Sequence, residues 1–296
     1  MGLSKSEIKD LALGVYETLL PRPPKRLLAK SFGISRASLY LDHALPDKDN
    51  SLRLEIEKWH EIDDTLGCRK LAVLLNTSKN RVFRVMLKYG IYPRRKRPSY
   101  KYGGKSDDVA DNKLLNGSEE ELKHYAIIFS DIFQFRLSDR TWVYCCFIIR
   151  KETKQILAFC YGYNMEASLV STSIERVDLV HDLNDIPVIF HSDQGKQYGA
   201  KITLDTITKV KYERSMSRAG TPTDNPNAER FVQTFKLAVT ERYSFENLIQ
   251  FKEYATKWLN FYNNQRPHQS LDQKSPNQYA TENGLQTIPY LSIEFV

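Results

Sequence analysis

Residues 125–137 read YAIIFSDIFQFRL. Apolar, β-branched and aromatic residues fill most of this run, the composition of a well-buried strand. One acid, Asp131, stands in its middle between Ser130 and Ile132. A carboxylate so placed is costly unless it is paired, exposed at an edge or bound to a metal. Outward from it, TWVYCCFII (141–149) and QILAFCYGY (155–163) repeat the composition at hairpin spacing, which predicts three consecutive strands. A helical stretch around 166–182 follows, then PVIFH (187–191) as a short buried strand. Another short helix, a strand near 210–216 and two helices at about 226–243 and 246–263 complete the region. Strands first and alternation afterwards predict a mixed sheet covered by helices.

Two further acids fall at places where such a sheet does chemistry. Asp193 directly follows PVIFHS, at the carboxyl end of a buried strand, where sites in open α/β sheets collect. Glu229 lies in DNPNAERFVQTFK. There Asn225 suits an N-cap and Pro226 a first helical residue. Ala228, Phe231, Val232 and Phe235 mark the core stripe of that helix, while Glu229, Gln233 and Lys236 share another. Three acids from two strands and a helix can form a cage of hard oxygen ligands of the kind magnesium prefers. Two metals about 3.5–4 Å apart suit phosphoryl transfer. Asp193 or Glu229 taken singly also reads as a solvated residue, as do Asp107, Asp108, Asp178 and Asp182. Gly195 reads as a turn residue, His191 and Ser192 as core, turn or site residues, and Trp142 and Trp258 as core.

The net charge of +7 on 296 residues is unevenly spread. Residues 1–105 carry +11, residues 106–121 carry −5 and the rest +1. A basic module joined to a near-neutral one points to a nucleic-acid partner for the first. In it, KRLLAKSF (25–32), Gly33, Ser35 and RASLYL (36–41) fit a helix-turn-helix whose second helix offers Arg36 and Ser38 to DNA. Leu52, Ile56, Trp59 and Ile62 recur at helical spacing. RKLAVLLN (69–76) and a helix from Ser78 to Gly90 form a second such unit. Its last helix sets Arg81, Arg84 and Lys88 on one face and Val82, Phe83 and Met86 toward the other. RRKRPSYKY (94–102) follows, where Arg94, Arg95, Lys96 and Arg97 with interleaved Tyr100 and Tyr102 suit phosphate and base contacts. Both units also read as ordinary helical hairpins. The predicted organisation is a helix-turn-helix (1–46), a second DNA-binding unit with a basic tail (47–105), an acidic linker (106–121), a catalytic core (122–281) and a tail (282–296). There is no membrane-length apolar run and no secretory leader, and Cys68, Cys145, Cys146 and Cys160 make no C-x-x-C pair. A soluble, cytoplasmic protein is expected.

HSDQGKQY (191–198), SMSRAGTPTDNPNAERF (215–231) and FYNNQRPHQSLDQKSPNQY (261–279) together resemble bacterial insertion-sequence transposases with the DDE core of the retroviral integrase superfamily. The resemblance is to the OrfB type of insertion sequence family three, and it covers most of residues 25–281. It maps the family's three acids onto Asp131, Asp193 and Glu229, with 35 residues between the last two, and a basic residue onto Lys236. It departs from the pattern at Arg150, at Pro226 and around 67–70. The resemblance implies an RNase H-like core, a five-stranded mixed sheet with flanking helices, preceded by all-α helix-turn-helix units. It implies a polynucleotidyl transferase that cleaves element ends and transfers the 3′-hydroxyl to DNA. Mg2+ is implied as two ions, with Mn2+ as substitute, held by the three acids. Lys236 and Arg266 are expected to meet DNA phosphates. Implied partners are double-stranded DNA, further copies of the chain and an upstream-frame OrfA product. The rival reading is an inactive or domesticated DNA-binding regulator.

Overall fold

The computed structural model describes residues 3, 5–40, 44–95, 108–180, 186–218, 221 and 224–296. The chain divides into two compact units, Met1–Glu57 and Lys58–Val296. In the first, α1 (Lys5–Thr18) and α2 (Lys25–Ser31) precede a 3-10 turn, Arg36–Tyr40. Ala12, Leu28, Ala29 and Leu39 form its core. Gly33 makes the expected turn at φ +63°, a conformation that costs glycine nothing, and Ser35 Oγ accepts the Ser38 N–H at 3.2 Å. The expected second α-helix is only this five-residue turn. Only Leu39 is buried along it, so little packing rewards a longer helix.

A third helix, α3 (Ala44–Ile62), runs across the boundary between the units. Within the second unit, α4 (Cys68–Leu74) and α5 (Lys79–Lys88) come first. Ser78 caps α5 by accepting from Arg81 N, and Gly90 follows it at φ +66°. Val82, Val85 and Met86 are its buried stripe. Phe83 is not part of that stripe but 55% exposed, because it sits one residue off the i, i+3, i+4 pattern. The expected acidic linker is structured where it is described. Asn112 caps α6 (Lys113–Asn116), and Ser118 with Glu121 closes a capping box on α7 (Glu119–Leu122). Lys113 N donates to Ser215 Oγ at 3.0 Å, which docks the segment on the core.

The sheet comprises β1 (Ala126–Arg136), β2 (Trp142–Arg150), β3 (Ile156–Gly162), β4 (Val188–Ser192), β5 (Glu213–Met216) and β6 (Glu294–Phe295), in the order β5-β4-β1-β2-β3-β6. The first three strands are antiparallel neighbours. β4 lies parallel to β1, β5 to β4 and β6 to β3. Five strands in this order are the RNase H-like core. The two-residue β6 is an addition within the expected tail, where Leu291 and Ile293 are also buried.

Helices cover both faces, which is why the strands read as near-continuous apolar runs. α8 (Ala167–Val180) packs on β2, β3 and α9 (Lys201–Lys209). On the opposite face lie α10 (Pro226–Phe235), a π-helical turn (Lys236–Thr240) and α11 (Leu248–Asn264). The short α12 (Pro276–Glu282) follows. An aromatic layer joins α10 to the sheet. Phe231 stacks on Phe147 at 4.4 Å between ring centroids, Phe235 on Phe133 at 5.4 Å and on Phe159 at 5.2 Å. Trp258 of α11 closes it from above, 5.4 Å from Phe235. Trp142 is not core. It is 37% exposed, with the Arg136 guanidinium 4.1 Å over its ring.

Candidate active site

The pairing of β1 with β4 brings two of the acids together. Phe129 is level with His191 in the parallel ladder, and their rings meet edge to face at 5.4 Å on one side of the sheet. Side chains alternate with period two, so Asp131 points to that same side, and Asp193 follows close enough for its charge to act on Asp131. Adjacent strands lie about 4.8 Å apart. Asp193 is the first residue past β4, where the chain leaves the sheet. Its Oδ1 accepts the Gly195 N–H at 2.9 Å, and a Cβ at Gly195 would stand 2.9 Å from that oxygen. A side chain at this position would push the Asp193 carboxylate out of its present place. Asp131 Oδ1 accepts the Ile132 N–H at 2.7 Å.

Glu229 arrives on α10, in the first turn, over the same face of the sheet. Pro226 opens the helix where its missing N–H is no loss. Asn225 does not cap with its side chain as the sequence suggested. Its Nδ2 donates to Ser130 O at 3.2 Å instead, tying the helix start to the strand residue beside Asp131. His191 is buried with both ring nitrogens hydrogen-bonded, to Ser215 Oγ at 2.8 Å and Ser217 Oγ at 2.9 Å. Burial pulls its pKa down to about 4, so it is a neutral strut and not an acid–base group at neutral pH. Ser192 is buried and donates to Asp193 O.

Electrostatics couple these acids. Burial pushes the Asp131 carboxyl up to about 7, and the negative charge of Asp193, and then of Glu229, adds to the rise. The Ile132 N–H and the Lys236 ammonium oppose it. Crowding by protein atoms raises Asp193 and Glu229 as well. Lys236 leans back over β1, its ammonium 5.5 Å from the Phe133 ring centre. As the side chains stand, no group of three His, Cys, Asp or Glu among the described residues could hold a metal ion. The donor chemistry nevertheless fits a hard divalent cation. Buried carboxylates, one of them raised further by the charges of the other two, are the groups a 2+ charge would stabilise.

The expected DNA-contacting residues have several fates. Arg36 is exposed, its guanidinium 5.8 Å over Tyr40, and Ser38 is half-buried against Ser35. Arg81, Arg84 and Lys88 line the exposed side of α5, where Phe83 and Leu87 also surface. Arg95 is exposed. Arg94 is held by Asp64 Oδ2 at 3.0 Å and Glu241 O at 3.2 Å. Lys96, Arg97, Tyr100, Tyr102, Asp107 and Asp182 lie outside the described residues. Arg266 is corrected. It is 5% exposed, and its Nε donates to Asp63 Oδ2 at 2.7 Å. A guanidinium committed to a fully buried carboxylate is a strut, not a surface contact. Neighbouring Asn263 is likewise internal, bonded to the N–H and C=O of Ile156. Nothing in the sequence signals the Asn225–Ser130 tie, nor the loop clamp in which Asp224 accepts from Arg218 and Asn112.

Two family models, both described as "Integrase core domain", match residues 122–222 and 210–276. The transposase for insertion sequence element IS904 of Lactococcus lactis is 26% identical over 76% of this chain and 91% of its own length. A putative transposase, InsK, for insertion sequence element IS150 of Escherichia coli is 24% identical over 80% of this chain and 85% of its own. The catalytic domain of Mos1 mariner transposase is a more distant structural neighbour, 13% identical with a TM-score of 0.43, covering 49% of this chain and 75% of that domain. The core models together span more than half of the chain, the relatives align along nearly all of their own lengths, and the sheet order is that of the core. This chain belongs to the integrase-core family of bacterial insertion-sequence transposases.

Proposed function

We propose that the chain is a DNA transposase that cuts at the ends of an insertion sequence and joins the freed 3′-hydroxyl to target DNA. The feature that carries this reading is the gathering of Asp131 on β1, Asp193 at the end of the paired β4 and Glu229 in the first turn of α10, with the charges of the last two acting on the first. Keeping like charges together costs stability, and a protein that only binds DNA gains nothing from the arrangement.

In this reading Asp131, Asp193 and Glu229 hold divalent cations, Mg2+ as two ions with Mn2+ as substitute. Bound there, such cations supply Lewis acidity toward the phosphate and a more acidic attacking oxygen. The chain's own part is positioning. The β1–β4 register fixes two carboxylates, and the Asn225–Ser130 bond fixes the helix that carries the third. Lys236 offers a positive charge on the same side to a phosphate oxygen of the reacting strand. Water attacks in the first step and a DNA hydroxyl in the second, so no covalent enzyme intermediate forms. The exposed basic side of α5 and the Arg36 turn are the surfaces that read the element ends. The chain acts as several copies on DNA, with or without an upstream-frame product.

The test is a cleavage and strand-transfer assay on a duplex carrying the ends of the element that encodes the chain. Asp131→Asn, Asp193→Asn and Glu229→Gln are each expected to lower both activities by several orders of magnitude while DNA binding survives. Near-wild-type turnover in any of the three would remove that residue from the assignment.

A further inference from the structure

A cavity of about 730 Å³ opens along the flank of α10 that faces away from Glu229. Successive helix residues turn by about 100°, so the Asn227, Arg230 and Thr234 stripe lies roughly opposite the Glu229 and Lys236 stripe. Lys70 of α4, Lys154 of the β2–β3 turn, Arg230 and Arg266 line the cavity together with His268, and among the described residues no Asp or Glu does. Asp63 is ion-paired with Arg266, and its charge also reaches Lys70. Lys154 is held in place by Asn227 Oδ1 at 2.9 Å. Lys70 and Arg230 form no side-chain hydrogen bond or ion pair with any described residue. His268 Nε2 is buried and has no hydrogen-bond partner. Burial and the neighbouring Arg266 bring the Lys70 ammonium down to about 7. Lys70, Lys154 and Arg230, none of them in an ion pair with a described residue, crowd around one hollow with Arg266, and an anion seated among them relieves their mutual repulsion.

Resting on the transposase reading, we propose that this cavity seats the sugar–phosphate backbone of the DNA, with Lys70, Lys154 and Arg230 taking its phosphates. A strand engaged at the carboxylates on one flank of α10 needs to cross only the helix, about 10–12 Å, to reach the other. That is about three base steps at 3.4 Å. The cavity thus grips the same DNA a few nucleotides from the reacting phosphate.

The experiment measures DNA affinity of the full chain by fluorescence anisotropy against salt concentration, on a labelled duplex of unrelated sequence and without divalent metal. Each phosphate contact contributes about 0.9 to the slope of log K against log salt. The double variant Lys70→Gln with Arg230→Gln should lower the slope by about 1.8, which is about 30-fold in affinity at 0.15 M salt. The charge-keeping pair Lys70→Arg with Arg230→Lys should retain most of the slope. Lys209→Gln, on α9 and paired with Glu175, should change nothing. Acetylation of Lys70 in the wild-type chain, followed by mass spectrometry, should slow when DNA is added, while Lys209 should not respond; this arm stands even if the glutamine variant fails to fold. Wild-type slope in a folded double variant, or acetylation of Lys70 indifferent to DNA, overturns the proposal. So does binding of inorganic phosphate that depends on Lys70 and Arg230 while the DNA slope stays unchanged, since that marks a small-anion site. Cleavage of element ends is scored separately. A reduced slope in a chain that never cleaves keeps the cavity and discards the transposase reading, while cleavage with an unchanged slope does the reverse.

Discussion

Replacing Arg266 by Ala separates a structural from a DNA-binding arginine. Its Nε meets Asp63 Oδ2 at 2.7 Å and its Nη2 meets Thr65 Oγ1 at 3.1 Å. Asp63 is 0% exposed, and among the described residues its carboxylate's other partners are the Thr65 N–H and hydroxyl, at 2.9 and 2.6 Å. Without the guanidinium, a buried carboxylate is left with one residue's donors. Breaking a buried pair from one side costs about 3–5 kcal/mol. For a domain of this size each kcal/mol moves Tm by about 2–4 °C, so Arg266→Ala should lower Tm by about 6–20 °C. Removing both charges, as Asp63→Leu with Arg266→Met, should recover much of the loss. The effect has a pH signature. Burial, the largest influence on Asp63, acts to raise its pKa, but Arg266 and Thr65 outweigh it and hold the carboxyl below its ordinary value. A depressed acid stabilises the fold fully above its unfolded pKa of about 3.9 and loses that contribution as pH falls through the native value. The Tm gap between wild type and variant should be full at neutral pH and narrow below about pH 4. Calorimetry at several pH values reads both. An Arg266→Ala protein that melts like wild type but binds DNA weakly would refute the strut and restore the sequence expectation.

Asp131 titrates with the opposite sign. Its raised pKa means the folded chain holds this proton to higher pH than the unfolded chain, so metal-free stability should fall as pH climbs from about 4 toward 7. Asp131→Asn should flatten that fall and melt above wild type at pH 8 without metal; parallel melting curves from pH 5 to 8 would count against the coupling. Phe231→Ala empties the centre of the aromatic layer and should cost about 3–5 kcal/mol by denaturant unfolding, and a loss under 1 kcal/mol would mean the layer is loosely packed. Asn225→Ala should cost only about 1 kcal/mol of stability yet lower strand-transfer turnover disproportionately, because it frees the helix that carries Glu229. Unchanged turnover would show that the Ser130 bond positions nothing.

Much of the core was legible because its signals are local. The runs around Phe129, Phe147 and Phe159 are mostly apolar, β1 to β4 lie where such runs predict them, and β5 falls within the strand expected near 210–216. Asp131 stood out as an acid inside one of those runs, and Glu229 through the periodicity of its helix. What escaped was decided across the chain. Asn225 sits at a helix start, and its sequence does not say whether its amide serves its own helix or Ser130, 95 residues earlier. Arg266 looks like a loop cation until Asp63, 203 residues away, is brought against it. β6 is two residues long and carries no pattern of its own. The cationic cavity draws on four separate segments, each unremarkable alone.

The π-helical turn after α10 has a consequence for how this helix tolerates change. Glu241 N reaches back five residues, to Lys236 O, where an α-helix would reach four. One surplus residue is thereby stored between the stretch that bears Glu229 and the stretch that leads to Tyr243 and Phe245. It works as a phase joint: α10 keeps its own orientation upstream, and the wider turn sets the direction in which the chain leaves the helix toward Phe245, which packs against Phe135 and Phe251. Excising one residue from 237–240 would leave α10 and all three acids in the chain, but would rotate the exit of the chain by about 100°. Either the helix or the Phe245 contacts would then lose their alignment. A length change at this turn is therefore a more severe mutation than most substitutions in it.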